Sequence, residues 1–591
     1  MAADSNTQPG RKTVLVRRVS LALSVAMTTA FTLVGVGCGR TSGPILGAGR
    51  VPAAWGAKQA EKREIPLTPG VPELGQQAVL PRDPALDGTV QFNLLYTNDI
   101  HSRIDPFPQN FYYSFYAGKG GFGRLTTAIR DFKSRFPNTL AVDSGDYLQG
   151  TPYFNFFKGE AEMRLMDAAG FDAITIGNHE FDNGVTQLQA VLPHYKGALI
   201  TTNMTFDREL GIRYAVKKVG AVRVGMFALI TEVNGLVSAP NFQGARYYDP
   251  VKTAAAAVAK LRKEADAVVL LSHMGSTPPW SESDTRAPET ELAHDHEVEP
   301  EQITDEVLAK RVPGIDVIIS GHTHVMIKRP LVVRQPGGGA THIISSGMGG
   351  GYLGQATLTL ERGRVTRLVN AMLPLTGNVP AAPDVERIIT PYREVVNRSI
   401  GQEIGEATGV FKRYGTNDVE SSLNNLIADA CLAAARKLKA ETAFAVMSSG
   451  TPRNPLPQGR LKVEDCFYAL PFDNRIVLMQ VTGKQAIDML TIQRRPTDHK
   501  RHAIANASYT LLRNAGPIED ARIGGQPIDP NAKYWVAVND YMADGSSGFT
   551  MLPGCPRQNT TVLQRDALID HIRAKGTVTP EIGRITVKNR P

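Results

Sequence analysis

Five short apolar segments in the first half of the chain each end in residues that can bind a metal ion or transfer a proton. Each segment has the length and composition of a buried strand, so five strands are predicted. The segments, with the residues that close them, are VQFNLLYTNDIH, TLAVDSGDYLQG, FDAITIGNHEFD, ADAVVLLSHMG and GIDVIISGHTH. The closing residues are aspartate, histidine and asparagine, without cysteine. Such oxygen and imidazole ligands suit Zn, Mn, Fe or Co.

The closing residues are expected to meet at one edge of a sheet. Helical patterns such as GRLTTAIRDFKSRF and PVKTAAAAVAKLRKEA separate the apolar segments, which predicts βαβ units in a layered α/β domain. In such sheets, ligands bind outside the carboxyl ends of the strands. Taken alone, His273 fits a structural histidine and Asp146 fits a turn residue. Five coincident strand ends favour a metal site over these structural interpretations.

The third segment is the densest, since ITIGNHEFDNG carries Asn178, His179, Glu180 and Asp182. Such a polar cluster also occurs where an asparagine or aspartate caps the first turn of a helix. Together with the other four strand ends, it instead predicts a site with a bridging carboxylate and two ions. Two ions stabilise both the attacking and the leaving oxygen of a displacement, so phosphate ester hydrolysis is the reaction that fits.

The motifs NDIH, SGDYLQG, GNHEFD, SHMG and SGHTH, in this order, resemble the five motifs of calcineurin-like metallophosphoesterases. Within that group they most resemble the bacterial secreted 5′-nucleotidase/UDP-sugar hydrolase family, strongly over residues 90–374 and more weakly beyond. The resemblance implies an α/β chain with an N-terminal four-layer α/β/β/α metallophosphoesterase domain. A linker helix would join it to a C-terminal α+β domain of the 5′-nucleotidase type.

The resemblance also implies a set of seven ligands for two divalent metal ions, with the choice among Zn, Mn, Co and Fe left open. The implied ligands are Asp99, His101 and His324 for the first ion, Asp146 as the bridge, and Asn178, His273 and His322 for the second ion.

His179 is implied to face the substrate, with Asp182 hydrogen-bonded behind it. A histidine held by a carboxylate stays oriented and is more readily protonated, which suits a group beside a developing oxyanion or leaving group. The expected mechanism is in-line attack of a metal-bound hydroxide on phosphorus without a covalent intermediate. Glu180 has no role in this scheme and is expected to be solvated, while Asp143 is expected to support the site or the structure.

The second half of the chain mixes helical and strand patterns. APDVERIITPYREVVNRSIG predicts a helix that begins near Asp384. The predicted organisation is a signal peptide with a lipobox over 1–38, a flexible tether over 39–88, a metallophosphoesterase domain over 89–375, a linker helix over 376–404 and a substrate-binding domain over 405–591.

Three residues of the second half are candidates for substrate binding. By the resemblance, Arg453 would contact the phosphate, and Phe472 and Tyr541 would sandwich a nucleotide base, although both aromatics could instead belong to a core. Three positions depart from the family pattern, where an arginine, an asparagine and an aspartate are expected. These positions are Asn417, Ser448 and Ser547. They leave nucleotide selectivity open.

The N-terminus predicts export. Basic residues precede the apolar run VSLALSVAMTTAFTLVGVG, and Cys38 follows a Gly-Val-Gly tripeptide that is similar to a bacterial lipobox. A lipid anchor through Cys38 is predicted, with simple secretion or an uncleaved anchor helix as alternatives. Each of the three would place the remaining chain in the periplasm or at the cell surface. The Gly-, Pro- and Ala-rich residues that follow predict a flexible tether.

Composition narrows the function classes. The net charge is +8, but no dense lysine and arginine block interleaved with aromatics follows the N-terminus, so binding of a nucleic acid polymer is not expected. The three cysteines after Cys38 allow at most one internal disulfide. An acidic segment over 281–306 contains His294 and His296, and fits a solvated loop better than a metal-binding lid.

The sequence therefore predicts an exported dinuclear phosphoesterase that resembles 5′-nucleotidases and hydrolyses nucleotide phosphate esters in nucleotide catabolism. Three other reactions would use the same site, namely those of a 2′,3′-cyclic phosphodiesterase, a UDP-sugar hydrolase or a thiosulfohydrolase. A non-catalytic surface binding protein is a further alternative. The expected partner is a small phosphorylated molecule, and the oligomeric state is left open.

Overall fold

The structure, a computed structural model, describes residues 65–589 apart from a few internal gaps. The gaps are 110, 112, 235, 278–302, 337, 414–418, 493–500 and 514–517. The predicted signal peptide with Cys38, most of the acidic segment, and Asn417 lie outside the described residues.

Two six-stranded sheets form the centre of the N-terminal half. In the first sheet four strands run parallel, beginning with Thr89–Thr97, and two antiparallel strands extend one edge. Its spatial order is Arg364–Pro374, Tyr352–Glu361, Thr89–Thr97, Thr139–Asp143, Ala173–Thr175, Ala198–Ile200. In the second sheet four parallel strands lie between two antiparallel edge strands. Its order is Met326–Arg334, Ala340–Ser346, Val317–Ser320, Ala267–His273, Val222–Ile230, Ala215–Val219.

The two sheets pack face to face and helices cover both outer faces. Along the strand Thr89–Thr97, Leu94 points between the sheets and Leu95 points toward the helices of the first sheet. Both faces of the central strands are therefore buried, which explains their nearly continuous apolar sequences. The covering helices are Phe122–Arg135, Pro152–Phe157, Glu160–Ala169 and Gly184–Val191 on the first sheet, and Pro250–Glu264 and Asp305–Arg311 on the second. These are the four layers α/β/β/α that the sequence predicts.

Residues 65–88 are packed against this domain and are not the flexible tether that the sequence predicts. Leu67–Thr68 pairs with Ala245–Tyr248, which in turn pairs with Met204–Phe206. Leu86, in a short 3₁₀ turn, is completely buried. The prolines and glycines of this segment suit irregular backbone. Ile65 and Leu86 are nevertheless buried against the domain, and the backbone of Ile65 is hydrogen-bonded to the side chain of Asn234.

A helix follows the first domain where the sequence predicts one, over Pro383–Ile400. Its buried positions, which include Val385, Ile389 and Val396, recur at helical spacing and pack against the helices of the first sheet. Arg393 adds hydrogen bonds from Nε and Nη2 to Asp105 Oδ1, at 2.9 and 2.6 Å. The helix is thus fastened to the N-terminal domain.

The C-terminal half is α+β, as predicted. Its sheets have five, four and three strands: Ala503–Ala505, Thr442–Met447, Lys533–Asn539, Arg475–Thr482, Arg557–Leu563; Gln526–Pro527, Glu519–Ile523, Ala507–Arg513, Ile585–Asn589; and Gly459–Lys462, Glu403–Ala407, Thr577–Val578. Its helices are Ser422–Leu438, Val463–Ala469, Gly483–Thr491, Asp540–Ala543 and Gln564–Lys575. Within the described residues, Cys431, Cys466 and Cys555 form no disulfide with one another. None of the helices in the described part of the chain is both long enough and apolar enough to cross a bilayer.

Candidate dinuclear metal site

The predicted histidine and aspartate ligands come together at the carboxyl ends of the central strands. They form two groups, in each of which one ligand atom per residue lies within 4.8 Å of the others. The groups are Asp99, His101 and His324, and Asp146, His273 and His322. Asn178 adjoins the second group, with its Oδ1 3.0 Å from His322 Nδ1. All seven predicted ligands are therefore neighbours, although they come from both sheets.

Five of the seven residues have left-handed backbone, with φ between 51° and 75°. These five are Asp99, His101, Asp146, His322 and His324. For a residue with a side chain, this region costs about 1–3 kcal/mol and persists only when the surrounding structure enforces it. The strand ends turn sharply at these points, which directs the side chains back over the edge of the sheets.

Hydrogen bonds between the strand-end loops enforce that conformation. The backbone N–H of His101 donates to the carbonyl of Asp146 at 2.9 Å. The N–H of His322 donates to Asp99 Oδ1 at 2.9 Å, and the N–H of His179 donates to Asp146 Oδ1 at 2.8 Å. At Gly177, a Cβ atom would lie 2.2 Å from Asp146 Oδ1, so only glycine fits. Each loop thus fixes a ligand of another loop.

The donor atoms fit divalent cations. His273 Nδ1 lies 2.8 Å from the Ser144 carbonyl, which can only accept, so Nδ1 carries the proton and Nε2 is the free ligand atom. That Nε2 atom faces Asp146 Oδ2 at 3.0 Å. Against burial, which alone would lower it, the carboxylates of Asp146 and Asp99 raise the pKa of His273 to about 10. The pocket favours positive charge.

The first group has the same character. Nε2 of His101 and Nε2 of His324 point at each other across 2.8 Å. Two imidazole nitrogens at this separation need a shared cation or proton between their lone pairs. Burial and the neighbouring His324 lower the pKa of His101 well below its ordinary value, so a proton is not favoured there. His101 and His324 would therefore suit a divalent cation, which would satisfy both nitrogens.

His179 belongs to neither group, although it follows Asn178 directly. Its Nδ1 donates to Asp182 Oδ2 at 3.0 Å, which leaves Nε2 available on the other side of the ring. Burial alone would lower its pKa, but the charges of Asp182 and Asp146 raise it above the ordinary value. This arrangement suits a group that donates a proton or hydrogen bond to a reacting oxygen.

Glu180 is completely enclosed, and its predicted exposure to solvent is wrong. Its side chain accepts three backbone N–H groups, from Asp146 at 2.9 Å, Leu148 at 3.0 Å and Gly177 at 2.5 Å. One carboxylate therefore fastens the loop of Asp146 to the loop of Asn178. The expectation failed because two of the three donors, the N–H groups of Asp146 and Leu148, belong to a loop more than thirty residues earlier.

Asn98 and Asp143 provide further support. Asn98 Nδ2 donates to Asp99 Oδ2 at 2.7 Å and its Oδ1 accepts from the N–H of Ser346 at 2.8 Å. Asp143 is buried and accepts from Thr97 Oγ1 and from the N–H of Gly145. The prediction for Asp143 is confirmed. The position of Asn98 inside the NDIH motif was the only sequence signal of its role.

Two candidate substrate residues lie beside His179. The Phe472 ring centroid is 5.7 Å from that of His179, and Arg453 Cζ is 5.1 Å from the Phe472 ring centroid. Arg453 is near enough for its charge to contribute to the pKa of both His179 and His101. Phe472 is half-buried and belongs to none of the apolar core clusters, so the core alternative does not apply to it.

Tyr541 is also half-buried, and Asp540 connects its loop to that of Phe472. The Asp540 carboxylate accepts from Asn474 Nδ2 at 3.0 Å, from the N–H of Arg475 at 3.1 Å and from the N–H of Tyr541 at 3.0 Å. Sequence reasoning did not identify Asp540. Of the departing positions, Ser448 is buried and Ser547 has left-handed backbone.

Comparison with known proteins supports the same division of the chain. Residues 92–326 match the calcineurin-like phosphoesterase family, and residues 403–554 match the 5′-nucleotidase C-terminal domain. The helix Pro383–Ile400 lies between the two matches.

Similar proteins include enzymes of this kind. The chain is 24% identical to the 5′-nucleotidase of Vibrio cholerae over 83% of its length and 92% of that protein. It is 24% identical to the trifunctional nucleotide phosphoesterase protein YfkN of Bacillus subtilis over 79% of its length, but spans only 33% of that longer protein.

Among solved structures, a 5′-nucleotidase precursor from Thermus thermophilus superposes with a TM-score of 0.71 at 26% identity, over 85% of this chain and all of that one. The similarity in fold to that protein therefore extends over both domains of this chain. With both family matches, and with the ligand groups at the strand ends, the chain belongs to the calcineurin-like metallophosphoesterases of the 5′-nucleotidase type, whose members are metal-dependent hydrolases of phosphate esters.

Proposed function

We propose that this protein is an exported 5′-nucleotidase that removes the phosphate of nucleoside monophosphates. One observation carries the proposal: an aromatic ring and a guanidinium from the C-terminal domain lie beside His179 at the metal-ligand groups. A nucleotide presents a planar base and an anionic phosphate, which these two groups recognise separately.

Asp99, His101, Asp146, Asn178, His273, His322 and His324 would hold two divalent ions. When bound, the ions would supply Lewis acidity and would neutralise charge on the phosphate. Nε2 of His179 then donates to an oxygen of the ester, while Asp182 keeps the ring oriented through Nδ1. The raised pKa of His179 supports this donor role.

Arg453 and Phe472 supply substrate binding. The guanidinium forms charge-assisted hydrogen bonds with the phosphate, and the Phe472 face stacks on the base. Tyr541 is proposed as the opposite wall of the base site, since Asp540 connects its loop to that of Phe472. A polar contact by Ser547 would be weaker than one by an aspartate, so weaker binding of the nucleoside is expected.

Phosphate release by the full chain tests the proposal. The protein loaded with Mn, Zn or Co is assayed with AMP, 2′,3′-cyclic AMP, UDP-glucose and bis-p-nitrophenyl phosphate. AMP is expected to be the best substrate. Preference for the cyclic nucleotide, the nucleotide sugar or the diester would assign one of the other reactions, and no turnover with any metal would refute an enzymatic role.

A pair of histidine variants ties that activity to the proposed site. His322→Ala removes a proposed ligand, whereas His342→Ala changes a histidine on a strand of the same domain outside both groups. The first variant is expected to lose bound metal and activity together, and the second to keep both. Full activity of His322→Ala would contradict the ligand assignment.

Export and lipid anchoring through Cys38 form a separate part of the proposal, supported by the basic and apolar N-terminal sequence. In cells, the unaltered chain is expected in the membrane fraction. Cys38→Ser is expected to abolish lipid labelling and release the protein from that fraction. Membrane association that persists without lipid labelling would instead favour an uncleaved anchor helix.

A further inference from the structure

The segment 470–473 lies where the two domains meet at the metal site. It belongs to the part of the chain that matches the 5′-nucleotidase C-terminal domain, yet Phe472 lies against His179 of the phosphoesterase domain. The placement of Phe472 and of the neighbouring Arg453 therefore depends on what holds this segment.

Asp473 is bound from both domains at once. From the N-terminal domain, Lys158 Nζ lies 2.6 Å from Asp473 Oδ2, and Asn155 Nδ2 donates to Oδ1 at 3.0 Å. From the C-terminal domain, Arg565 Nη2 donates to Oδ1 at 2.6 Å. Two cations and an amide thus converge on one carboxylate.

The same side chains also hold the backbone around Asp473. Asn155 Nδ2 donates to the carbonyl of Pro471 at 2.8 Å. Arg565 Nη1 donates to the carbonyl of Leu470 at 3.0 Å, and its guanidinium stacks at 4.0 Å from the ring centroid of Phe467. The Arg565 side chain is only 3% exposed, so it forms a fixed base for the segment. Asn155 lies within the helix Pro152–Phe157, which packs on the N-terminal domain, and Lys158 directly follows the last residue of that helix.

We propose that Asp473 is a positioning residue for substrate binding, which ties the Phe472 segment to Asn155 and Lys158 of the phosphoesterase domain and thereby holds Phe472 and Arg453 over the metal site. The inference rests on the proposed function in one respect, because it takes Phe472 and Arg453 as the residues that bind a nucleotide.

The electrostatics agree with a tie of this kind. Burial alone would raise the pKa of Asp473, but the charges of Arg565 and Lys158 hold it below the ordinary value. Asp473 and Lys158 keep side-chain exposures of 32% and 36%. Salt therefore screens the pair of Asp473 and Lys158 in part. In Asp473→Asn the buried Arg565 also loses its carboxylate partner, but it keeps its hydrogen bonds to the carbonyls of Leu470 and Phe472.

The first test is Asp473→Asn, which keeps the size of the side chain and removes its charge. The KM for AMP is expected to rise about three- to tenfold, because the binding-competent arrangement becomes less populated, while kcat changes by less than about twofold. Asp429→Asn is the matched control, since Asp429 pairs with Arg584 at the same 2.6 Å and 39% exposure within the C-terminal domain. It should leave the KM for AMP unchanged.

The second test changes the partner of Asp473 in the N-terminal domain. Lys158→Met should raise the KM for AMP to a similar extent, and the double variant should add little to either single change. Lys133→Met is its control, because Lys133 pairs with Asp172 at 2.7 Å inside the N-terminal domain. Full additivity of the two changes, or an unchanged KM in Asp473→Asn, would overturn the proposal.

A measurement that does not depend on catalysis tests this inference separately from the proposed function. Hydrogen exchange of the backbone amides over 470–476 is expected to accelerate in both Asp473→Asn and Lys158→Met, and not in Asp429→Asn. Unchanged exchange in Lys158→Met would overturn the tie, whatever the activity. If the unaltered enzyme fails to hydrolyse AMP but the exchange result holds, the proposed function fails and the tie between the domains stands.

Discussion

Replacement of Glu180 by glutamine offers a sharp test of how the metal site is built. The carboxylate accepts three backbone N–H groups, two of them on one oxygen. A glutamine side chain has a single oxygen, so at least one N–H loses its acceptor and faces an NH₂ group. Hydrogen bonds to a charged acceptor are worth about 1.5–3 kcal/mol each, so the loops lose about 2–4 kcal/mol of local stabilisation.

That loss should appear mainly as weaker metal binding, because the fastened loops carry Asp146 and Asn178. Outer residues that orient metal ligands typically change metal affinity by about 10–100-fold, and we expect Glu180→Gln in this range. The assay is competition for Zn or Mn with a chromophoric chelator, followed by AMP turnover at saturating metal. Turnover should recover in large part once the ions are bound, since Glu180 itself does not touch the substrate.

Glu162→Gln is the matched control. Glu162 is equally buried in the same domain and accepts from the hydroxyl of Ser102 at 2.5 Å. Among the described residues, its second oxygen has no hydrogen-bond partner. Its metal affinity should stay within about threefold of the unaltered protein. If Glu180→Gln also stays in that range while folding normally, the reasoning that one carboxylate positions two ligand loops is refuted.

Three further changes are expected to have distinct effects. His179→Ala should keep both metal ions, measured by elemental analysis, but reduce AMP turnover about 10²–10⁴-fold; loss of metal would contradict its assigned role. Phe472→Ala should raise the KM for AMP about 5- to 150-fold and leave glycerol phosphate hydrolysis nearly unchanged, whereas Phe472→Tyr should retain AMP binding. Burial raises the pKa of Glu162 from 4.5 to about 7. Between pH 4.5 and about pH 7 the folded protein therefore binds a proton that the unfolded chain has released, so the free energy of unfolding falls as the pH rises through this range. The melting temperature should therefore fall between about pH 5 and about pH 8 by more in the unaltered protein than in Glu162→Gln, and parallel pH curves would refute this.

Much of the candidate metal site could be predicted from the sequence because its proposed ligands follow a regular pattern. Asp99, Asp146 and His273 each close a buried apolar run, and the layered α/β arrangement brings such strand ends to one edge. The four layers followed from the same alternation of apolar runs with helical patterns.

The supporting contacts could not be predicted, because they depend on distant parts of the chain. Asp473 lies 315 positions from Lys158 and 92 from Arg565, and the motif LPFDN drew attention only to its aromatic residue. Glu180 was expected to be exposed to solvent, because a short polar motif gives no information about N–H donors on another loop. The order in residues 65–88 was missed for a related reason, since proline- and glycine-rich composition does not reveal a docking surface on the folded domain.

The left-handed backbone at five of the proposed ligands has a consequence for the stability of the metal-free protein. Without metal, the five left-handed backbone conformations and the buried carboxylates each raise the free energy of the folded chain. No bound cation then compensates for this cost. Metal binding is therefore expected to contribute to folding as well as to catalysis. A chelating buffer should lower the melting temperature and loosen several strand ends together, because their loops hold one another. After inactivation by a chelator, the loops at the strand ends would have to refold around the metal ions. Activity would therefore return only slowly when metal is added back.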